Sequence, residues 1–135
     1  MAQPISPEFG NSAGDAHAAF SAERGRLELD MPAGSGFGWE VADGVLRTQF
    51  HGEICAWSVA RLQPVLLSLL ADLQPWAIVV DMSAVTFFDA SATNLLIQAR
   101  QLAADQGATL SLESPSRFVR RVLALCELDD EFAVS

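Results

Sequence analysis

The sequence predicts an α/β protein built on a mixed β-sheet, with an opening hairpin, parallel β-α-β units and amphipathic helices packed on the sheet. Three observations predict it. Asp43-Gly44 separates two strand-like runs, and Asp-Gly there is the strongest short hairpin signal, because a type I′ turn needs positive φ at both central residues. "WAIVVDM" (Trp76 to Met82) is an unbroken apolar run rich in β-branched residues, as in a central strand covered on both faces. After the hairpin, helical stripes alternate with strand-like segments, which implies parallel pairing.

The elements follow in order. Residues 1–25 are rich in Ala, Ser, Gly and Pro and are expected to form a mobile leader, whose opening "MAQPISPEF" reads in part as an expression scar. A single domain is expected over residues 26–135. "RLELDM" (Arg26 to Met31) alternates Leu27, Leu29 and Met31 on one face, as in a short edge strand. "PAGSGFG" follows as a loop. In the second hairpin strand Leu46, Thr48 and Phe50 share one face, and Arg47, Gln49 and His51 the other.

Leu62, Val65, Leu66, Leu69, Leu70 and Leu73 form one stripe of a first helix. Pro64 lies within it, where the missing N–H and the ring predict a kink or a restart. A second helix is expected from about Ser91 to Gln106, ended by Gly107 at C′. "ATLSLES" reads as a strand. Ser114-Pro115 is expected to open a third helix, with Ser as N-cap and Pro at the first helical position, and with Phe118, Val119, Val122, Leu125 and Cys126 as its stripe. The tail "ELDDEFAV" adds a final strand or turn. Leu66, Leu69, Val79, Leu95, Leu96 and Val122 are expected in the core.

Composition narrows the function. The chain has 135 residues, a formal net charge of −9 and eight basic residues, all of them arginine. So acidic a chain lacks the phosphate-neutralising face that nucleic acid needs, and anionic lipid would repel it. No stretch reaches the roughly 18 apolar residues of a membrane span, and no signal pattern opens the chain, so a cytoplasmic protein that does not insert in the membrane is expected. Cys55 and Cys126 lie far apart and are expected to be reduced thiols. Cys126 falls on the third helix's apolar stripe, as a small core residue.

Sites for chemistry are sparse. "GSGFG" (Gly34 to Gly38) touches the dinucleotide fingerprint, but a strand rather than a helix follows it, so a flexible loop is expected. His51 and Cys55 have the spacing of metal ligands on a helix, yet "GEI" between them reads as a strand end, where the pair would not converge. No metal and no organic cofactor are expected. Ser91 lacks a nucleophile elbow, and no histidine is placed to serve it as base. Asp81 and Asp89 together at the C-terminal edge of the central strand would make one carboxylate pair, which is weak evidence for catalysis. A protein that is not an enzyme is expected. Arg117, Arg120 and Arg121 cluster on the third helix, as a solvated face or as a contact for an acidic group.

The stretch "VVDMSAVTFFDASATNLL" (Val79 to Leu96) joins strand, short loop and helix start, with Asp89 and Ser91 at the junction. Either side chain suits a helix N-cap. A phosphate placed there would meet free N–H groups and the helix dipole, and would add about −1.5 to −2 charge without unfolding the domain.

These residues resemble the STAS domain family, and within it the bacterial anti-sigma factor antagonists. "GVLRTQFHGEI" resembles the strand ending in a Gly-Glu-apolar element. "AIVVDMSAVTFFDASATNLL" resembles the central strand, loop and helix start, where apolar–Asp–Ser–Ser–Gly is usual. "ATLSLESPSRFVRRVLALCELDDEF" resembles the following strand, helix opening and closing segment, and the likeness spans roughly Trp39 to Val134. The resemblance implies a regulator that binds a serine kinase-like anti-sigma factor in a phosphorylation-controlled partner switch and so frees a sigma factor. It places the phosphoacceptor at Ser91, and the partner surface at Asp89, Ser91, Ala92, Thr93 and Cys55, in a monomer or weak homodimer. Three positions depart from the pattern: Ala90 replaces the first serine, Ala92 the glycine, and Cys55 the Asp usual after Gly-Glu-apolar. The alternative within the family is a STAS subunit of a lipid or anion transport complex, or a stressosome component.

Overall fold

The computed structural model describes residues 16–20, 24–29, 34–128 and 130–135. Seven strands form one sheet in sequence order: β1 (Ala16–Phe20), β2 (Arg24–Leu29), β3 (Ser35–Ala42), β4 (Val45–Ile54), β5 (Ala77–Phe88), β6 (Thr109–Glu113) and β7 (Ala133–Val134). The pairs β1–β2, β2–β3 and β3–β4 are antiparallel, and β4–β5, β5–β6 and β6–β7 parallel. Among the described residues three helices interrupt the strands: α1 (Ala56–Leu73), α2 (Ala90–Asp105) and α3 (Arg117–Leu125). The mixed α/β sheet predicted from sequence is the observed one.

The hairpin forms at the predicted turn. Asp43 and Gly44 have φ of 55° and 78°, as a type I′ turn requires. Trp76, largely exposed, closes over this turn: its Nε1 donates to Asp43 O at 2.8 Å, and its backbone N to Gly44 O at 2.9 Å. Thus the hairpin tip and the start of β5 are tied across the sheet.

Several boundaries differ from the sequence reading. β1 lies within the stretch expected to be a mobile leader. β2 is shifted two residues toward the N-terminus and sits between β1 and β3, not at the sheet edge. Asp30 and Met31, part of the expected strand, lie outside the described residues. The expected glycine-rich loop is mostly strand, because Phe37 and Trp39 alternate with glycine there and bury their rings in the core. Pro64 neither breaks nor restarts α1. It lies with Ala60 on the exposed face, where water can take the carbonyl left without a donor. Ser114 does not cap α3, since its φ of 51° is left-handed; Ser116 caps it, its Oγ accepting from Val119 N at 3.3 Å.

The sheet is covered by helices on one face. Leu46, Thr48 and Phe50 of β4 point into the core with Ile78, Val80 and Met82 of β5 and Leu110 and Leu112 of β6. The buried stripes of α1 (Leu62, Val65, Leu66, Leu69, Leu70) and α2 (Leu95, Leu96, Ala99, Ala103) lie in the same core. On the other face Arg47 pairs with Glu113 at 2.6 Å, and Gln49 Nε2 donates to Asp81 Oδ2 at 3.3 Å. Val79 belongs to that face and is half-buried, so the apolar run of β5 is not covered on both sides. Of the six expected core residues, Leu66, Leu69, Leu95 and Leu96 are buried, and Val79 and Val122 are half-buried. On α3 only Val119 and Leu123 are buried. Phe118, Leu125 and Cys126 of the expected stripe are exposed, and the helix packs on β5 through its other side.

β5 is longer than predicted. Its pairing with β4 shifts register between Gln49 and His51 and between Gly52 and Glu53, then continues to Ile54 opposite Phe88. The expected loop is thereby drawn into the strand. Gly52, in the Gly-Glu-apolar element, has φ of 78°, and a Cβ there would lie 2.7 Å from Gly34 O and from Ser35 Cα. Only a bare backbone fits against the start of β3.

Gly107 has the same φ but nothing within 4 Å of a Cβ. Gly107→Ala is therefore expected to cost about 1 kcal/mol, and Gly52→Ala more than about 2 kcal/mol, since it adds a backbone clash to the same strain. Urea denaturation of the two variants checks this; equal losses would show that the Gly34–Gly52 approach is not tight.

Candidate functional site

At one end of the sheet β4 and β5 stop side by side, Ile54 opposite Phe88, and each turns directly into a helix. Parallel neighbouring strands deliver the two helix N-termini to the same place. Cys55 is the N-cap of α1 and Asp89 the N-cap of α2, both with extended backbones. The N-terminal N–H groups of both helices need acceptors here.

Asp89 supplies one to each helix. Its Oδ1 accepts from Ala92 N of α2 at 3.1 Å, and its Oδ2 accepts from Ala56 N of α1 at 3.2 Å. A carboxylate at two positive helix ends is favourable, because both dipoles stabilise its charge. The Asp89 carbonyl in turn accepts from Thr93 N at 3.0 Å and from Thr93 Oγ1 at 3.1 Å.

Cys55 and Ser58 form a capping box. Cys55 N donates to Ser58 Oγ at 3.4 Å, the Cys55 sulfur lies 3.6 Å from that oxygen, and Ser58 Oγ donates to Glu53 O at 2.7 Å. Burial raises the Cys55 thiol pKa, and the Asp89 charge raises it further. Hydrogen bonds from the Ser58 backbone and side chain and from the Trp57 backbone outweigh both, so the net shift is downward.

Ser91 occupies the second position of α2. It is half-buried, and its hydroxyl has no hydrogen-bond partner among the described residues. Of the two capping candidates, Asp89 does the capping and Ser91 is left over. Ala90 and Asn94 beside it are exposed. Ala92 and Thr93 are buried, so their side chains face the core rather than the surface. The structure thus gathers Cys55, Asp89 and Ser91 at one edge, with Ala92 and Thr93 beneath.

Other candidates do not join this edge. Asp81 lies inside β5, eight residues of extended chain before Asp89, or roughly 25 Å. Its Oδ1 accepts from Ser83 N at 2.9 Å and Ser83 Oγ at 2.8 Å, so the two acids form no carboxylate pair. His51 is within β4 and Cys55 beyond its end, and no group of three or more His, Cys, Asp or Glu that suits a metal occurs among the described residues. No described helix is long and apolar enough to cross a membrane. Sequence reasoning missed Ser58 and the Asp89–Ala56 bond. Ser58 three residues after the α1 cap was a readable capping signal; the bond, spanning 33 residues, had none.

Two parallel strands thus feed two helices at this junction. A model of the STAS domain matches residues 39–135, and the chain belongs to that family. No curated protein matches it significantly. Solved structures with the same fold include an anti-sigma factor antagonist from Mycobacterium paratuberculosis, with a TM-score of 0.65 and 22% identity over 86% of this chain and 88% of that one. The Bacillus cell fate determinant SpoIIAA in its phosphorylated form gives a TM-score of 0.60 and 17% identity over 73% and 90%. A variant of Moorella thermoacetica RsbS gives 0.62 and 23% over 72% and 83%. At these identities the likeness establishes the fold.

The two junction residues should separate in a stability measurement. Asp89→Ala removes acceptors from two helices and is expected to cost about 2 kcal/mol, whereas Ser91→Ala should stay within about 0.5 kcal/mol of the parent. Urea denaturation of both reads this directly, and equal losses would mean that Ser91 shares the capping.

The lowered Cys55 pKa has a sign. The thiolate contributes stability that is present above the thiol's unfolded pKa and is lost as pH falls through the lower folded one. In a Cys126→Ser background, iodoacetamide labelling of Cys55 against pH should show a midpoint below that of the same thiol in the urea-unfolded chain. A midpoint at or above the unfolded one would remove the hydrogen-bond account of this thiol.

Proposed function

We propose that this chain is an anti-sigma factor antagonist: it binds a serine kinase-like anti-sigma factor, frees the sigma factor held by it, and is switched off by phosphorylation of Ser91. The observation that carries the reading is the division of labour at the start of α2, where Asp89 holds the helix end and the Ser91 hydroxyl is unused. A serine that caps would be withdrawn from chemistry; one that does not can be modified without opening the helix. The likeness to antagonists of known structure supports the same reading.

In this reading the partner covers the edge formed by Asp89, Ser91 and Cys55, with Ala92 and Thr93 setting the backbone beneath. A phosphoryl group on Ser91 adds about −1.5 to −2 charge beside the Asp89 carboxylate. The fold tolerates it, since two helix N-termini meet there. A partner docked on the edge does not, because it would bury charge without a counter-charge. The change therefore acts on affinity and not on folding. Cys55 replaces a carboxylate usual in the family, so this edge carries one acid fewer and suits a partner surface with less positive charge.

The test is titration calorimetry against the kinase-like anti-sigma factor, with labelled ATP in parallel. Ser91→Ala should bind as the parent does and take up no label. Ser91→Asp should bind at least about tenfold more weakly, a loss of about 1.4 kcal/mol, at an unchanged melting temperature. Label on another residue, or full binding by Ser91→Asp, overturns the proposal.

A further inference from the structure

Three of the eight arginines stand together on α3, and local forces oppose their placement there. At about 100° per residue, Arg117, Arg120 and Arg121 fall within an arc of roughly 100°. All three are exposed, and the buried Val119 and Leu123 lie across the helix from them. Like charges three and four residues apart on a helix repel. Arg117 is also the first residue of the helix, at the positive end of its dipole, where an acid would be favoured.

The other arginines are engaged within the fold. Arg47 pairs with Glu113 and Arg100 with Glu131. The Arg61 guanidinium lies 3.7 Å from the centre of the Trp57 ring, and Arg24 and Arg26 also interact within the fold. Arg117, Arg120 and Arg121 form no ion pair among the described residues. The chain has 17 acids, yet no position from Ser114 to Cys126 is acidic, and Glu113 just before them is held by Arg47. The cluster is thus left unneutralised by the helix that carries it.

An apolar flank adjoins it on one side. Phe118 and Leu125 follow the arc on the Arg121 side, and Arg120 bounds it on the other. Phe118 is 41% exposed and Leu125 78%. The Phe87 ring, at the end of β5, is centred 5.5 Å from that of Phe118 and widens this flank.

We propose that the outward face of α3 is a docking surface for an acidic segment of a partner protein, whose carboxylates take Arg117, Arg120 and Arg121 and whose apolar side chains lie on Phe118 and Leu125. Charge complementarity fixes the sign of the partner. A guanidinium grips a carboxylate through two parallel N–H···O bonds, which a lysine cannot offer. The rest of the molecule fixes the partner's size. An extended anionic surface, such as a membrane or a nucleic acid, would also face the remainder of the chain, where 17 acids outnumber the five other arginines. A short acidic segment meets the three arginines without meeting those acids. The repulsion among the arginines and their conflict with the helix dipole are then relieved on binding. This surface does not depend on phosphorylation of Ser91.

The test is a nuclear magnetic resonance titration of the full chain with a short peptide in which Glu recurs at helical spacing beside a Leu stripe. The backbone resonances of residues 117–125 should shift and saturate, and the binding should weaken as salt is raised. A peptide with Lys in place of Glu should shift none of them. Arg117→Glu with Arg121→Glu should bind the acidic peptide at least about tenfold more weakly. The same variant should melt at or above the temperature of the parent, because Glu suits the helix start. Leu125→Ser, at an exposed site, should weaken binding with the melting temperature unchanged. No shift at about 1 mM acidic peptide overturns the proposal, as do shifts confined to other residues or full binding by the charge-reversed variant. A lower melting temperature in that variant would show that the arginines serve the fold, and overturns it as well. Phosphatidylserine vesicles or duplex DNA binding this face more tightly than the peptide would assign it to lipid or nucleic acid instead.

Discussion

The carboxylate of Asp89 is the interaction on which the arrangement of this end of the molecule depends. It accepts from Ala92 N of its own helix and from Ala56 N of a helix that begins 33 residues earlier. Without it, the Ala56 and Ala92 N–H groups would lose their acceptor at the point where α1 and α2 leave the sheet. Because one side chain serves both, the two helix starts are fixed relative to each other. Ser91, two residues on, inherits a defined position without contributing to it.

That junction exists because β4 and β5 run parallel and end together. Their pairing survives two register shifts, and the second follows Gly52, whose backbone also lets β3 approach closely. The extra strand length carries Val85 and Phe88 into the core and leaves Phe87 outside. A shorter β5, with a true loop before α2, would let the Asp89 segment move, and the bond to Ala56 would be hard to hold. Strand length, irregular pairing and the helix caps are thus one structural fact seen at three places.

Charge is distributed unevenly over this frame. The open face of the sheet carries compensated pairs such as Arg47 with Glu113. At the C-terminal end Arg100 of α2 donates to Glu131 O at 2.6 Å and to its side chain at 3.1 Å, and lies over Phe132, so the final turn is tied to α2. Arg117, Arg120 and Arg121 form no ion pair among the described residues, in a chain of net charge −9. An acidic protein keeps itself soluble by repulsion between like charges, so a patch of opposite sign is where attraction between molecules is least opposed.

The sequence by itself determined the elements that rest on local physics. The hairpin at Asp43-Gly44 followed from the φ that its turn demands, the stripes of α1 and α2 from helical period, and Gly107 from its left-handed backbone. The location of the junction at Asp89 and Ser91 was also legible, since a capping acid before an apolar helix is a local signal. Tertiary structure decided the rest. Whether Asp89 or Ser91 would cap could not be read from two polar residues two positions apart, because the choice depends on Ala56, brought near by strand pairing. The end of β5 was misplaced because its last residues are held by β4 through bulges that leave no pattern in the chain. Helix α3 showed an apolar stripe, but which side of it would be buried depended on how the helix seats on β5, and so Leu125 and Cys126 face outward.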